Sequence, residues 1–246
     1  MAQTDDKAAE AQRAEIFKRT LRIAGESDSA KAMEFLESQG KPNVVAEHYS
    51  KLLKEIYFKK KDVPLLVIFW RTGIQYALAA AKANEKTDAD AAKKLTGTAK
   101  TIAYNLAANT WPGWQDEGIE ITKPIRAIGF DAAMLNLRLA GELKRDAEVF
   151  DDAHWLVGAY YLAAGEGKHA LAQFRTSAEK FREAKKAEFE LMAKGYAGMA
   201  RATVETTKDE GTRQLQEAID TLKKNGSEDA KFFAQQLADV RKLFVK

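Results

Sequence analysis

The stretch DDAHWLVGAYYLAAGEGKHALAQFRTSAEKF occupies Asp151–Phe181. It reads as two helical segments joined at Gly165-Glu166-Gly167. Gly158 and Tyr161 are three residues apart in the first segment. Ala170 follows Tyr161 by nine, and Phe174 follows Ala170 by four. Intervals of three and four put side chains on one helix face. Gly158 and Ala170 carry little or no side chain, so two helices can approach closely there, and Tyr161 and Phe174 fill the space beside them. The connecting GEGK lacks the longer glycine spacing, the Ser or Thr after lysine and the preceding strand of a phosphate loop. It reads as a hairpin turn in which Gly165 and Gly167 permit positive φ.

The same periodicity extends outward. Four prolines and fifteen glycines are all that punctuate 246 residues, and alanine, leucine, lysine and glutamate favour helices. No run alternates with a period of two. The pattern predicts about eleven helices, near 5–24, 28–38, 42–60, 63–84, 88–109, 122–143, 146–164, 167–183, 185–207, 210–224 and 228–245. Gly25 is expected to stop the first helix. Asp28 or Ser29, Asp62, Thr87-Asp88 and Ser227 are expected to start helices, with Pro42 and Pro64 in first turns. Short connections imply antiparallel neighbours.

Composition bounds the class. The chain is 46% hydrophobic and 30% charged, which is globular composition. Its 39 basic and 36 acidic residues are interspersed and leave a net charge of +3, giving no case for nucleic acid as a partner. The densest basic run, Lys59-Lys60-Lys61, reads as a solvated helix end. There is no cysteine, which excludes disulfides, thiolate metal sites and cysteine nucleophiles. The N-terminal MAQTDDKAAEAQRAEIF lacks the apolar core of a signal peptide, so a cytoplasmic protein is expected. Val63–Ala81 has the length of a membrane span, but Arg71 sits at its middle. It is expected to be a buried helix, with no membrane partner.

The intervals around Gly158, Tyr161, Ala170 and Phe174 resemble those of a tetratricopeptide repeat. Departures from the family pattern are Trp155, one residue late, Val157 in place of leucine and Arg182 in place of the terminal proline. A weaker second unit has Ala193 and Tyr196 three apart, with Ala218 and Leu222 on its second helix. The gap from Tyr196 to Ala218 is 22 rather than nine, which implies a longer helix and a longer connection. Gly73 and Tyr76 repeat the glycine–tyrosine interval upstream. The resemblance implies an all-α fold, a right-handed stack of antiparallel hairpins in one domain over 1–246. Irregular hairpins would fill 1–145, and clearer repeats 146–246, ending in a capping helix. It also implies a peptide groove lined by first helices, here by Asp152, Trp155, Ala159, Leu162 and Ala163. That face is apolar and aromatic with one acid, so it suits an apolar or basic segment rather than a carboxylate. The competing arrangement has residues 1–60 plugging it.

No constellation announces catalysis. His48, His154 and His169 lack metal-ligand spacing, although the last two flank one hairpin. No nucleophile elbow or dinucleotide fingerprint occurs, and no cofactor is expected. The remaining feature is TWPGWQDEGIEI, Thr110–Ile121. Pro112-Gly113 signals a type II turn, with glycine supplying positive φ. In one reading the indoles of Trp111 and Trp114 fold back over the ends of the neighbouring helices. In the other they pair beside Asp116, Glu117 and Glu120 to hold a cation or a basic peptide. The candidate binding residues are therefore Trp111, Trp114, Asp116, Glu117, Asp152, Trp155 and Leu162. The expected function is a non-catalytic scaffold for a protein or peptide partner, as a monomer or weak homodimer. The alternative is a small-ligand binder or enzyme with a pocket between helical units near the WPGW turn.

Overall fold

A computed structural model describes residues 2–143 and 147–245. Helix starts follow local chemistry. The Asp28 carboxylate accepts the Lys31 N–H at 2.7 Å, Asp62 accepts Leu65 N–H at 3.0 Å, and Asp88 accepts Ala91 N–H at 2.9 Å. The Ser227 hydroxyl accepts Ala230 N–H at 3.1 Å. Each satisfies a donor that the first helical turn leaves orphaned. The chain is all-α, with no strand among the described residues.

Eleven α-helices result: α1 (Ala2–Glu26), α2 (Ser29–Glu37), α3 (Pro42–Lys54), α4 (Val63–Asn84), α5 (Ala89–Asn109), α6 (Lys123–Glu142), α7 (Ala147–Ala163), α8 (Gly167–Glu183), α9 (Ala187–Ala202), α10 (Lys208–Asn225) and α11 (Glu228–Phe244). Three differ instructively from the sequence pattern. Gly25 does not end α1, which runs on to Glu26; the Asp28 cap of α2 is the effective stop. The helix expected over 42–60 widens near its end: after Lys54 it continues as a π-helix, Glu55–Lys60, until Lys61 takes φ 54°. The helix expected over 185–207 stops at Ala202. Thr203 and Thr207 hydroxyls donate to the carbonyls of Ala200 and Arg201, and Val204 is extended. Such side-chain bonds compete with helix propagation. A 3₁₀ turn, Glu205–Thr207, then leads into α10. The expected change of character at residues 145–146 lies outside the described residues.

The chain forms two compact units, Met1–Asn109 with Glu117–Ile125, and Thr110–Asp116 with Arg126–Lys246. In the first, α1 packs on α2 and α3, and α3 packs on α4 and α5, which also pack together. Gly73 of α4 meets Tyr49 of α3: a Cβ there would come within 2.7 Å of the Tyr49 Cβ. Tyr49 is 1% exposed and donates its hydroxyl to Glu37 Oε1 at 2.8 Å. Gly73 therefore finds its close partner in the preceding helix. Among the described residues α4 is the one helix long and apolar enough to cross a membrane. Within its own unit it buries Leu66, Phe69, Trp70, Ile74 and Ala77.

In the second unit consecutive helices α7 to α11 pack in order, and α9 also touches α11. The turns after α7 and α8 are the same device. Glu166 N–H bonds Tyr161 O and Lys186 N–H bonds Phe181 O, both at 2.9 Å. The residue in between takes a left-handed φ, 78° at Gly165 and 59° at Lys185. Phe174 of α8 covers Gly158 of α7, as the spacing predicted. The tightest crossing joins α9 and α10. A Cβ on Gly198 would stand 2.7 Å from Leu215 N and 3.0 Å from Gly211 O. The α9 helix is no longer than α7, so the long gap from Tyr196 to Ala218 is taken up by the connection and by a crossing nearer the start of α10.

Gly198→Ala is expected to destabilise by about 1–3 kcal/mol, because the obstructing atoms are backbone and cannot rotate away. Gly25→Ala, where nothing lies within 4 Å of the new Cβ, is expected to be neutral or stabilising by up to ~1 kcal/mol. Urea unfolding of the two variants separates these outcomes.

Candidate functional site

The segment Thr110–Asp116 folds with the second unit. Trp111 is 1% exposed, and its indole N–H donates to the carbonyl of Ala159, on α7, at 2.8 Å. Around it stand Trp114 at 4.8 Å, Trp155 of α7 at 5.7 Å, Phe244 of α11 at 6.1 Å and Tyr196 of α9 at 6.4 Å. Most pairs are edge-to-face, the arrangement the ring quadrupoles favour. Trp155 also lies 5.4 Å from Tyr196, whose ring is 5.2 Å from Phe174. The turn therefore docks on α7, α9 and α11, which is neither the helix-end packing nor the open pair expected from sequence.

The turn itself differs from a type II turn. Gly113 is not in the left-handed region; that conformation falls on Gln115, at φ 54°. Glycine is needed at 113 for another reason, since a Cβ would collide with the Trp111 ring. Gln115 Nε2 closes the turn on Pro112 O at 2.7 Å. Beside it, the buried Thr110 and Tyr160 hydroxyls hydrogen-bond at 3.0 Å, and both lie over Gly129 of α6. Arg126 of α6 donates to Ala163 O at 3.3 Å.

The predicted site residues fall into two groups. Trp111, Trp155 and Leu162 are buried, at 1, 6 and 2% exposure. Ala159, between the last two on α7, is also buried. At Trp155 and Ala159 the α7 face read as a groove lining thus meets the chain's own turn, through Trp111 and Trp114. Trp114 and Asp152 are half-buried and Asp116 is exposed. Trp114 stacks on Trp155 with ring centroids 6.0 Å apart and planes 29° apart. Glu117 belongs to the first unit, where its carbonyl accepts from Lys61 Nζ at 2.7 Å. Sequence reasoning missed Tyr196 and Phe244 as members of the cluster and Tyr160 as the partner of Thr110. Their only signal was aromatic character on helices whose order of contact was not known.

Other sequence features resolve as structure. Gly165 supplies the positive φ of the hairpin turn, whereas Gly167 does not; it lies against Thr203 and Ala200 of the following hairpin. His154 and His169 do not converge: the first pairs with Gln173 at 2.7 Å and the second with Glu166 at 2.9 Å. Among the described residues no three His, Asp or Glu side chains gather as a metal site. No family model matches the sequence, and no curated protein matches it either.

Trp111→Ala is expected to cost about 3–5 kcal/mol, since it empties a filled aromatic site. Trp114→Ala is expected to cost ~1–2 kcal/mol, because part of that ring is already in water. Chemical denaturation reads both. Burial pushes the phenols of Tyr160 and Tyr196 well above their usual value, against the smaller lowering by Thr110 and Gln236. A folded-state pKa above the unfolded one of about 10 gives stability that is complete below that pH and lost as pH rises past it. Alkaline titration is therefore expected to unfold the protein, with phenolate absorbance of these two residues appearing only with unfolding.

Proposed function

We propose that the chain is a cytoplasmic, non-catalytic scaffold that binds a basic segment of a protein partner at the rim of the indole cluster. The carrying observation is the contrast within the cluster: Trp111 and Trp155 are buried, while Trp114 stacks on Trp155, meets Trp111 edge-to-face and is only half-buried. An indole face beside carboxylates attracts Lys and Arg side chains. Asp116 follows in the same turn, and Asp152 lies one helical turn before Trp155 on α7. The buried rings fix the orientation of the exposed one, so little ordering is left to be done on binding.

The helical hairpins of the second unit support the scaffold reading. Their Gly158–Phe174 contact and repeated left-handed turns support a tetratricopeptide-like reading of these hairpins. Such a module displays a rigid surface on loops and first helices and needs no cofactor. The packing around Trp111 favours this reading over a small-ligand pocket at the turn, because four aromatic rings already stand against that indole. A monomer or weak homodimer is the form that leaves the rim available.

The test is a panel of short synthetic peptides, lysine- and arginine-rich against acidic and neutral ones of equal length, followed by tryptophan fluorescence. Basic peptides are expected to bind, more weakly as salt rises. Trp114→Ala is expected to lose at least about tenfold in affinity while retaining the fold, a difference of ~1.4 kcal/mol. Equal binding of acidic and basic peptides, or unchanged affinity in Trp114→Ala, would overturn the proposal.

A further inference from the structure

A cleft of about 230 Å³ lies between α1 and α3 in the first unit. Its polar lining is Gln12 and Arg13 of α1, Gln39 from the turn after α2, and Glu47, His48 and Lys51 of α3. The charges are unevenly matched. Lys51 Nζ lies 3.2 Å from the Glu47 carboxylate, so these two compensate each other. Arg13 is half-buried, and among the described residues no carboxylate pairs with its guanidinium. Gln39 Nε2 is committed to Phe35 O and Ser38 Oγ.

His48 is the unusual member. It is 8% exposed, and its Nδ1 is buried with no hydrogen-bond partner. A buried polar atom left in this state is costly unless a partner arrives. The Phe17 ring packs perpendicular to the imidazole at 5.8 Å, and Ile16 and Val44 make the apolar part of the cleft lining. Burial, and after it the Arg13 charge, hold the imidazole below its ordinary pKa; Glu47 opposes this and Lys51 adds to it.

We propose that this cleft binds a small oxyanion, a carboxylate or phosphate group, held chiefly by Arg13 with Lys51 and His48 beside it. The volume is below the ~300–1,000 Å³ of drug-sized pockets, which suits a single charged group rather than a large ligand. The anion supplies the missing partner for the guanidinium in a partly desolvated setting, where such a pair is stronger than in open water. It also adds a negative charge close to His48. The charged groups facing that ring are Arg13 from α1 and Glu47 and Lys51 from α3; Gln39 and Phe17 are neutral. An added negative charge favours the imidazolium, so the bound-state pKa lies above the free-state one. Binding therefore takes up protons and tightens as pH falls through the window between the two values.

The experiment follows the His48 ring resonance in the full chain by NMR, with His48→Gln to assign it. Inorganic phosphate and acetate are titrated separately against sodium chloride at matched ionic strength. The expected result is a saturable shift of His48 and a rise in its pKa, with His154 and His169 unmoved. Whichever ion binds more tightly identifies the group as phosphate or carboxylate. Arg13→Gln is expected to raise the free-state pKa of His48, because a neighbouring cation is gone, yet to weaken anion binding at least about tenfold. The exposed Lys51→Gln, read in the same way, guards against loss of folding in the first variant. A His48 response to both anions no greater than to chloride, or a saturable shift undiminished in both variants, would refute the site.

Discussion

Both units depend on positions where a helix presents no side chain to its neighbour. Gly73 receives Tyr49, Gly158 receives Phe174, and Gly198 meets Gly211 backbone to backbone. A helix pair held apart by one methyl group loses dispersion contacts along its whole line of approach. Large rings can therefore be buried beside these crossings without leaving voids. Tyr49, Phe174 and Tyr196, each at most 1% exposed, sit directly at or next to them. The cores are built from pairs of opposites, bare backbone against a large ring.

The indole cluster shows what such a scaffold can hold. Trp111 enters from a connection, not from a helix, and is fixed by one hydrogen bond to Ala159 and by rings from α7, α9 and α11. A non-helical segment thus already lies on the face that first helices offer in stacked hairpins. This arrangement leaves Trp114 as a rigid, partly wet ring at the edge. The cleft proposed as an oxyanion site in the first unit differs: among the described residues it holds a cation with no carboxylate partner, and a buried imidazole nitrogen with no hydrogen bond.

Legibility was uneven across the chain. The helices, their caps at Asp28, Asp62, Asp88 and Ser227, and the contact of Gly158 with Phe174 were all readable, because each rests on residues within about one hairpin of one another. Gly25 and Gly113 were misread. In both cases glycine suggests a special backbone conformation, whereas Gly25 is ordinary helix and Gly113 makes room for Trp111. The break at Ala202 was also hidden, since threonine hydroxyls compete with the helix only when the local geometry allows it.

The sequence by itself determined the all-α class, the number and approximate extent of the helices, the turn at Gly165 and the chemical character of the WPGW segment. These follow from propensity, periodicity and capping, which act over a few residues. Only the tertiary structure decided that Trp111 is buried and Trp114 is not, that Glu117 belongs with Lys61 instead of with the tryptophans, and that His48 and Arg13 share a cleft. Those facts depend on which helix meets which at distances of tens of residues along the chain. No local preference encodes that choice; it is set by how small and large side chains interlock once the helices are packed.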